Sequence, residues 1–266
     1  VISTGYSLNY FQSVFVASLL ALTASLSASA DGVRIVGYPK EGRLEADGSG
    51  HYGDLVRSIL AEANYDASFT TAPVLRSLRE LETSSHTCVF PSSVEALAEQ
   101  GLVDRAELLL GSAPIDYVTG HIVTLPGSEM ISDVSQLHGK AIAAWRGVNV
   151  QPYLGDASVN VLQTDNEFNA IRLLQTGRVD AIWNWIPDAY ILFERLEIGP
   201  PNLNAAKAFY ASEIQFVCSP DASSEAFLAK IDPVIEKMRS QGRLKEILGQ
   251  YSRIVGVDAQ PVVQKK

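Results

Sequence analysis

At 266 residues the chain can form one large domain or two smaller ones with a sizeable core, and 47% apolar with 19% charged residues is an ordinary globular composition. Lys and Arg number 21 against 30 Asp and Glu, a formal charge of -9. This excludes the broad basic footprint of nucleic-acid or anionic-membrane binding, while leaving room for a small basic pocket.

Residues 1–30 carry no charged side chain, and the run Val14 to Ala24 (VFVASLLALTA) is followed by Ala28-Ser29-Ala30. This is the apolar core and small-residue cleavage pattern of a secretory signal peptide, with cleavage expected after Ala30. The run is shorter than the roughly 20 apolar residues of a membrane span, so an exported protein is expected. The two cysteines, Cys88 and Cys218, are too few for a disulfide framework and stand in no close His or Cys pattern with the spacing of a zinc site. One bridge and two buried thiols both remain open.

Val33 to Gly37 (VRIVG) reads as a strand, Tyr38-Pro39 as a turn, and the following glycine-rich stretch as a loop. Asp54 to Ala63 reads as a helix with Leu55, Ile59 and Leu60 or Ala63 on one side. A second strand at Tyr65 to Thr70, a helix at Val74 to Glu82 and a strand at Thr87 to Phe90 follow, the last ending at Pro91-Ser92-Ser93. Val94 to Gln100 is expected as a helix and Ala106 to Leu110 as a strand, with a further strand within Gly111 to Val123. Short strands alternating with helices imply a mainly parallel sheet flanked by helices.

The pattern restarts at Ser132, with a short helix, a strand at Ala141 to Trp145 and a turn at Arg146-Gly147. In the stretch from Thr164 to Tyr190, Thr164 or Asp165 caps a helix carrying Phe168, Ile171 and Leu173 or Leu174, and Gly177 ends it. A strand through Val179, Ala181 and Ile182 then leads to a loop holding Trp183, Asn184, Trp185 and Asp188. Side chains just past such a strand end are where open α/β folds hold ligands, so Asn184 and Trp185 are the first binding candidates, with core packing as the alternative. After Pro200-Pro201 a strand is expected at Ile214 to Val217. A helix from Glu225 to Arg239 follows, capped by Ser223 or Ser224 and broken or restarted at Asp232-Pro233, then a last helix from Arg243 to Tyr251 and a frayed tail from Asp258 to Lys266.

Neither a phosphate loop, a dinucleotide fingerprint nor a Ser-His-Asp set stands out. His51, His86, His121 and His138 lack ligand spacing, so neither metal nor cofactor is expected.

Four stretches in order, at Gly53 to Ala63, LHGKAIAAWRG (137–147), NAIRLLQTGRVDA (169–181) and IDPVIEKMRSQGRLKEILGQY (231–251), resemble the bacterial extracellular solute-binding proteins of family 3. The likeness runs through nearly all of Val33 to Tyr251. It implies an α/β protein of the two-lobe type II periplasmic-binding fold, each lobe a mainly parallel sheet flanked by helices. Two crossing strands would join lobe 1 (31–118 with 217–266) to lobe 2 (119–216), with ligand in a cleft that closes by hinge motion. In that topology the strands of Cys88 and Cys218 lie side by side, so a disulfide is expected.

Amino-acid receptors of this family hold the ligand carboxylate with an arginine and hydroxyls, and the ammonium with an aspartate of lobe 2. The resemblance puts Arg105 at the arginine, but Gly147-Val148-Asn149 lacks the usual hydroxyl and Trp185 stands at the acidic position. The ligand expected is therefore a small organic solute other than a standard α-amino acid: a carboxylate or other anion, an aromatic, or another organic solute. Tyr38, Arg76, Ser92, Ser93, Arg105, Trp145, Arg146, Asn149, Asn184 and Trp185 are the candidate ligand residues. The resemblance further implies a periplasmic, monomeric binding protein that delivers its solute to an ABC permease. A periplasmic sensor or accessory protein on the same fold is one alternative. A cyclohexadienyl dehydratase-like enzyme is another, for which Asp188 or Glu167 would be remote substitutes for the missing acid.

Overall fold

Apolar runs of four to six residues build the first part of the sheet. In the computed structural model β1 (Arg34–Gly37) lies between β2 (Ser68–Thr71) and β3 (Thr87–Ser92) and parallel to both. The described residues are 32–155, 157–254, 256, 258 and 262–263, with residues 1 and 2; the signal-peptide expectation and most of the tail after 258 lie outside them. All that follows concerns the unit Asp31–Lys266.

Three helices flank these strands: α1 (His51–Ala63), α2 (Val74–Thr83) and α3 (Val94–Glu99). Val33, Ile35, Leu55, Ile59 and Phe90 are fully buried in one core cluster on the α1 side. Leu78, Leu81, Val89 and Leu97 form a second cluster on the α2 and α3 side. The strand expected at 106–110 is instead a 3-10 turn, Ala106–Leu108, followed by only two strand residues, β4 (Leu110–Gly111). Arg105 starts that turn with its backbone in the left-handed region (φ 54°), burying Ala106 and leaving Glu107 and Leu108 exposed, a pattern no alternating strand can supply.

Two long strands cross the middle of the sheet. β5 (Asp116–Val123) is buried throughout and lies antiparallel to β10 (Tyr210–Cys218). β10 pairs with β5 through Tyr210 to Ile214, then turns to β3 and β4 from Gln215 onward, with a register shift between Gln215 and Val217. β5 pairs in turn with β8 (Ala181–Ile186), and beyond that lie the parallel β6 (Ala141–Trp145) and β7 (Asn160–Thr164). The strand order is β2-β1-β3-β10-β5-β8-β6-β7, two parallel groups joined through an antiparallel centre.

A 3-10 turn at Val134–Leu137, capped by Asp133, and the short α4 (Gln151–Leu154) complete the connections on this side. α4 and β7 fall in a stretch where no element is expected from the sequence. The N-cap of α5 (Glu167–Gln175) is Asn166, whose side chain accepts from the Asn169 amide at 2.8 Å, rather than Thr164 or Asp165. β8 does not stop at Ile182, because Ile182 to Ile186 pair residue by residue with Val123 to Thr119. Trp183, Asn184 and Trp185 therefore sit within a strand, and Pro187 then leads into α6 (Asp188–Arg195) instead of a loop.

Lys207–Ala208 is β9, paired with β11 (Val262–Val263). The long α7 (Ala222–Ser240) is capped by Asp221, not by Ser223 or Ser224, and runs unbroken through Pro233. Phe227, Ile231, Ile235 and Met238 recur at helical spacing and are all fully buried, so one continuous apolar stripe outweighs the amide and steric losses of an internal proline, which amount to about 3 kcal/mol. α8 (Arg243–Leu248) closes the same core. Cys88 and Cys218 face each other across β3 and β10 and are disulfide-bonded, with both side chains fully buried.

Candidate functional site

Tyr38 leaves the end of β1 and reaches Trp145 at the end of β6, with ring centroids 6.1 Å apart. Between them and the crossing strands is a cavity of about 80 Å³. Trp185, Tyr210, Pro91 and Leu97 supply apolar wall, while Ser92, Ser93 and Ser212 supply hydroxyls. A wider groove of about 600 Å³ lies on the other side of Trp145, bounded by Pro39, Pro73, Leu75, Arg146 and Asp165. The Trp145 indole thus stands between the two spaces. It lies flat against Gly147, where a β-carbon would come within 2.1 Å of the ring, so only glycine allows this packing.

Alternation along β8 sorts its side chains. Trp183 and Trp185 point to the face carrying Tyr153 and Tyr210, whereas Ile182 and Ile186 join the opposite cluster with Leu192 and Phe193. Asn184 shares that opposite face, is buried, and accepts the Trp185 amide at 2.7 Å, so it does not reach the cavity. Four further candidates, the three arginines and Asn149, are also placed elsewhere. Arg76 is exposed on α2 and paired with Glu80 one helical turn away at 3.0 Å. Arg105 is exposed and lines neither space. Arg146 pairs with Asp165 at 2.6 Å at the rim of the outer groove. Asn149 donates from its side chain to the Gln100 carbonyl at 3.3 Å, and its amide donates to Gln100 Oε1 at 3.1 Å.

Tyr38, Ser92, Ser93, Trp145 and Trp185 are brought together in the cavity wall. Ser93 Oγ accepts the Ala96 amide at 3.3 Å and so caps α3. Ser92 Oγ is buried beside the Tyr38 phenol and makes no hydrogen bond of normal geometry. Burial raises the Tyr38 phenol above its ordinary value, with Ser92 and Lys40 pulling the other way.

The charged part of the site comes from residues that sequence patterning does not single out. The turn Lys40–Leu44 closes on itself through reciprocal backbone bonds of 2.9 and 2.8 Å. From it Lys40 Nζ reaches Glu167 Oε1 at 2.5 Å and Asp188 Oδ2 at 3.0 Å, with all three side chains at most 9% exposed. Arg43, wholly buried, donates to Asp116 Oδ2 at 2.5 Å and Ser252 Oγ at 3.1 Å, and approaches Asp188 Oδ1 at 3.4 Å. Tyr52 donates its hydroxyl to the same Asp116 oxygen at 2.9 Å. Glu167 and Asp188 are the first residues of α5 and α6, where the helix dipole favours negative charge.

Two cations and three carboxylates meet here away from water. Burial pushes the Glu167 carboxyl up to about 8 against the pull of Lys40, and the charge of Asp188 adds to the rise. Burial alone would lower Lys40, but Glu167 and Asp188 outweigh it and hold the ammonium above its ordinary value. Asp188, which the sequence suggests is remote, lines the cavity. The available signals were Asp116, a carboxylate set in the apolar run IDYV, and acids opening two helices. Lys40 and Arg43 sit at the start of a stretch that reads only as a loop. No group of three or more potential metal ligands occurs among the described residues.

No protein-family profile matches the chain, and no curated protein does. Solved structures do. A P235GK mutant of ArgBP from T. maritima matches with a TM-score of 0.66 at 15% identity, covering 83% of this chain and 95% of that one. The GluR0 ligand-binding core in complex with L-glutamate matches at 0.65 and 14% identity, covering 83% and 100%. The ancestral amino-acid-binding protein AncCDT-1, a precursor of cyclohexadienyl dehydratase, matches at 0.64 and 16%, covering 83% and 96%. At such identities the likeness speaks for architecture: this chain has the two-lobe α/β fold of the family 3, type II periplasmic solute-binding proteins.

Proposed function

We propose that the protein is an exported, periplasmic solute-binding protein that holds a small organic solute in the cavity between Tyr38, Trp145 and Trp185 and hands it to an ABC-type permease. The exchange of partners along β10 at Ile214 and Gln215 supports lobes of about 31–118 with 217–266 and 119–216, hinged on the crossing strands. Among the described residues no helix is long and apolar enough to cross a membrane.

One observation carries the ligand class. Among the described residues the only charged side chains lining the cavity, Lys40 and Asp188, neutralise each other at 3.0 Å. A zwitterionic α-amino acid would find neither its carboxylate nor its ammonium partner free, and Arg105 and Asn184 do not reach it. Aromatic walls and hydroxyls favour an uncharged aromatic or hydroxylated solute instead. The cavity's size limits the ligand to a small one unless Trp145 swings aside and joins it to the outer groove. No catalytic role is assigned, because Asp188, which lines the cavity, and Glu167 beside it are both tied to Lys40.

A thermal-shift screen of neutral aromatic, hydroxylated, anionic and amino-acid solutes, followed by calorimetric titration, tests this. Saturable stabilisation by an uncharged solute, lost in Trp185→Ala, is the expected result. Tight binding of a standard amino acid would overturn the ligand class. Lys40, Glu167 and Asp188 tie residues of the two proposed lobes together through the protein's own ion pairs, which favours a sensor or accessory role as the second reading. Co-purification with a periplasmic partner rather than a permease would select it.

A further inference from the structure

Two carboxylates and two indoles converge on a single ammonium group. Lys40 Nζ lies 2.5 Å from Glu167 Oε1, 3.0 Å from Asp188 Oδ2, 5.0 Å from the centre of the Trp145 ring and 5.9 Å from that of Trp185. Ion pairing from one side and aromatic faces from the other are what a receptor uses to hold an alkylammonium ligand. Each part is anchored by an element of its own. The carboxylates open α5 and α6, the indoles stand on β6 and β8, and Lys40 is offered by a closed turn whose Gly42 packs on Ile191 of α6.

We propose that this is an alkylammonium-binding site filled by the protein's own Lys40, which acts as a tethered ligand and thereby excludes cationic and zwitterionic amines from the cleft. The proposal assigns the specificity of the solute site described above and rests on that reading for its biological meaning. The site itself rests only on the geometry around Nζ. Lys40 belongs to the wall of the same cavity in which a free ligand would lie, so an amine entering that cavity would meet an ammonium already in its place. Shortening Lys40 to alanine removes three methylenes and the ammonium, a fragment matched by n-propylammonium. Glu167 would then be left buried without the ammonium, and Asp188 with only Arg43 at 3.4 Å beside it.

The test is thermal unfolding of the wild type, Lys40→Ala and Lys40→Met in n-propylammonium chloride, with sodium chloride and 1-propanol as controls. Lys40→Ala is expected to unfold at lower temperature and to recover in a saturable manner with n-propylammonium alone. Lys40→Met, whose side chain keeps most of the length of lysine, and the wild type should not respond. Titration calorimetry should give a dissociation constant for n-propylammonium at least tenfold tighter with Lys40→Ala than with wild type. Should Lys40→Ala not fold, the Lys40→Ala/Glu167→Gln double variant, with one carboxylate fewer to compensate, carries the same measurement.

A folded variant that gains no n-propylammonium binding, or a wild type that gains as much, overturns the proposal. The solute reading fails separately: a wild type that binds no solute in the screen, alongside a rescued Lys40→Ala, would sink that reading and leave the tethered-ligand site standing.

Discussion

Arg43 and Asp116 form an ion pair of 2.5 Å in which neither side chain has any solvent exposure. Asp116 opens β5, and it accepts Tyr52 as well as Arg43 on one oxygen while its other oxygen takes the Tyr117 amide at 3.0 Å. The pair therefore ties the turn after β1 to the crossing strands. Removing one partner strands a buried charge, which costs about 3–5 kcal/mol. Asp116→Asn and Arg43→Met should each lower stability by that order in urea unfolding. The double variant should lose less than the sum of the two, and full additivity would show that the charges do not depend on each other.

Glu167 makes stability depend on pH in the direction opposite to an exposed acid. Its folded value is pushed up to about 8 by burial and by Asp188, against the pull of Lys40. In an unfolded chain it would titrate near about 4.3. Between those values the folded state binds more protons than the unfolded one, so stability falls as pH rises through this window and levels off above about 8. Urea midpoints taken from pH 5 to pH 9 should decline in the wild type and decline less in Glu167→Gln. Identical slopes in the two proteins would count against a protonated Glu167.

The Cys88–Cys218 bond closes a loop of 130 residues and links β3 to β10, one of the strands that cross the sheet. Loss of a cross-link over so long a loop costs about 2–5 kcal/mol. Cys88→Ala/Cys218→Ala should show that loss in urea unfolding under conditions where both proteins refold. Reductant should bring the wild type to the same midpoint.

Gly147 leaves the Trp145 indole no room for a β-carbon at 2.1 Å. Gly147→Ala should therefore push the ring off its resting place, change the tryptophan fluorescence and alter solute affinity more than stability, since Trp145 is only partly buried. Unchanged fluorescence and affinity would show that the indole does not separate the two spaces.

Arg105 offers the sharpest contrast between resemblance and geometry. The family pattern places it on the ligand carboxylate, yet the side chain is exposed and lines neither the cavity nor the groove. Arg105→Ala should leave affinity for any solute found in the screen within about twofold, whereas Lys40→Ala should change it strongly. A tenfold loss with Arg105→Ala would restore the family role.

The sequence by itself determined most of the strands and helices but not α4, β7 or the turn at Ala106–Leu108, the apolar faces that bury against one another, and through four short stretches the two-lobe class of fold. Those features are local: periodicity and capping report which face of an element is buried within one or two turns of chain. It was weaker where neighbours decide conformation, as in β8, whose extension through Trp185 to Ile186 depends on pairing with β5. It also identified the aromatic and hydroxyl walls of the cavity, since Tyr38, Ser92, Ser93 and Trp145 end or follow strands that the apolar runs mark out. Only the tertiary structure decided the charges. Lys40 and Glu167 are 127 residues apart and meet because a closed turn and two helix N-termini are packed at one point, a coincidence no local pattern encodes. Once those elements meet away from water, the cost of burying each charge forces it to find a partner, and for Glu167 and Asp188 that partner is the Lys40 ammonium.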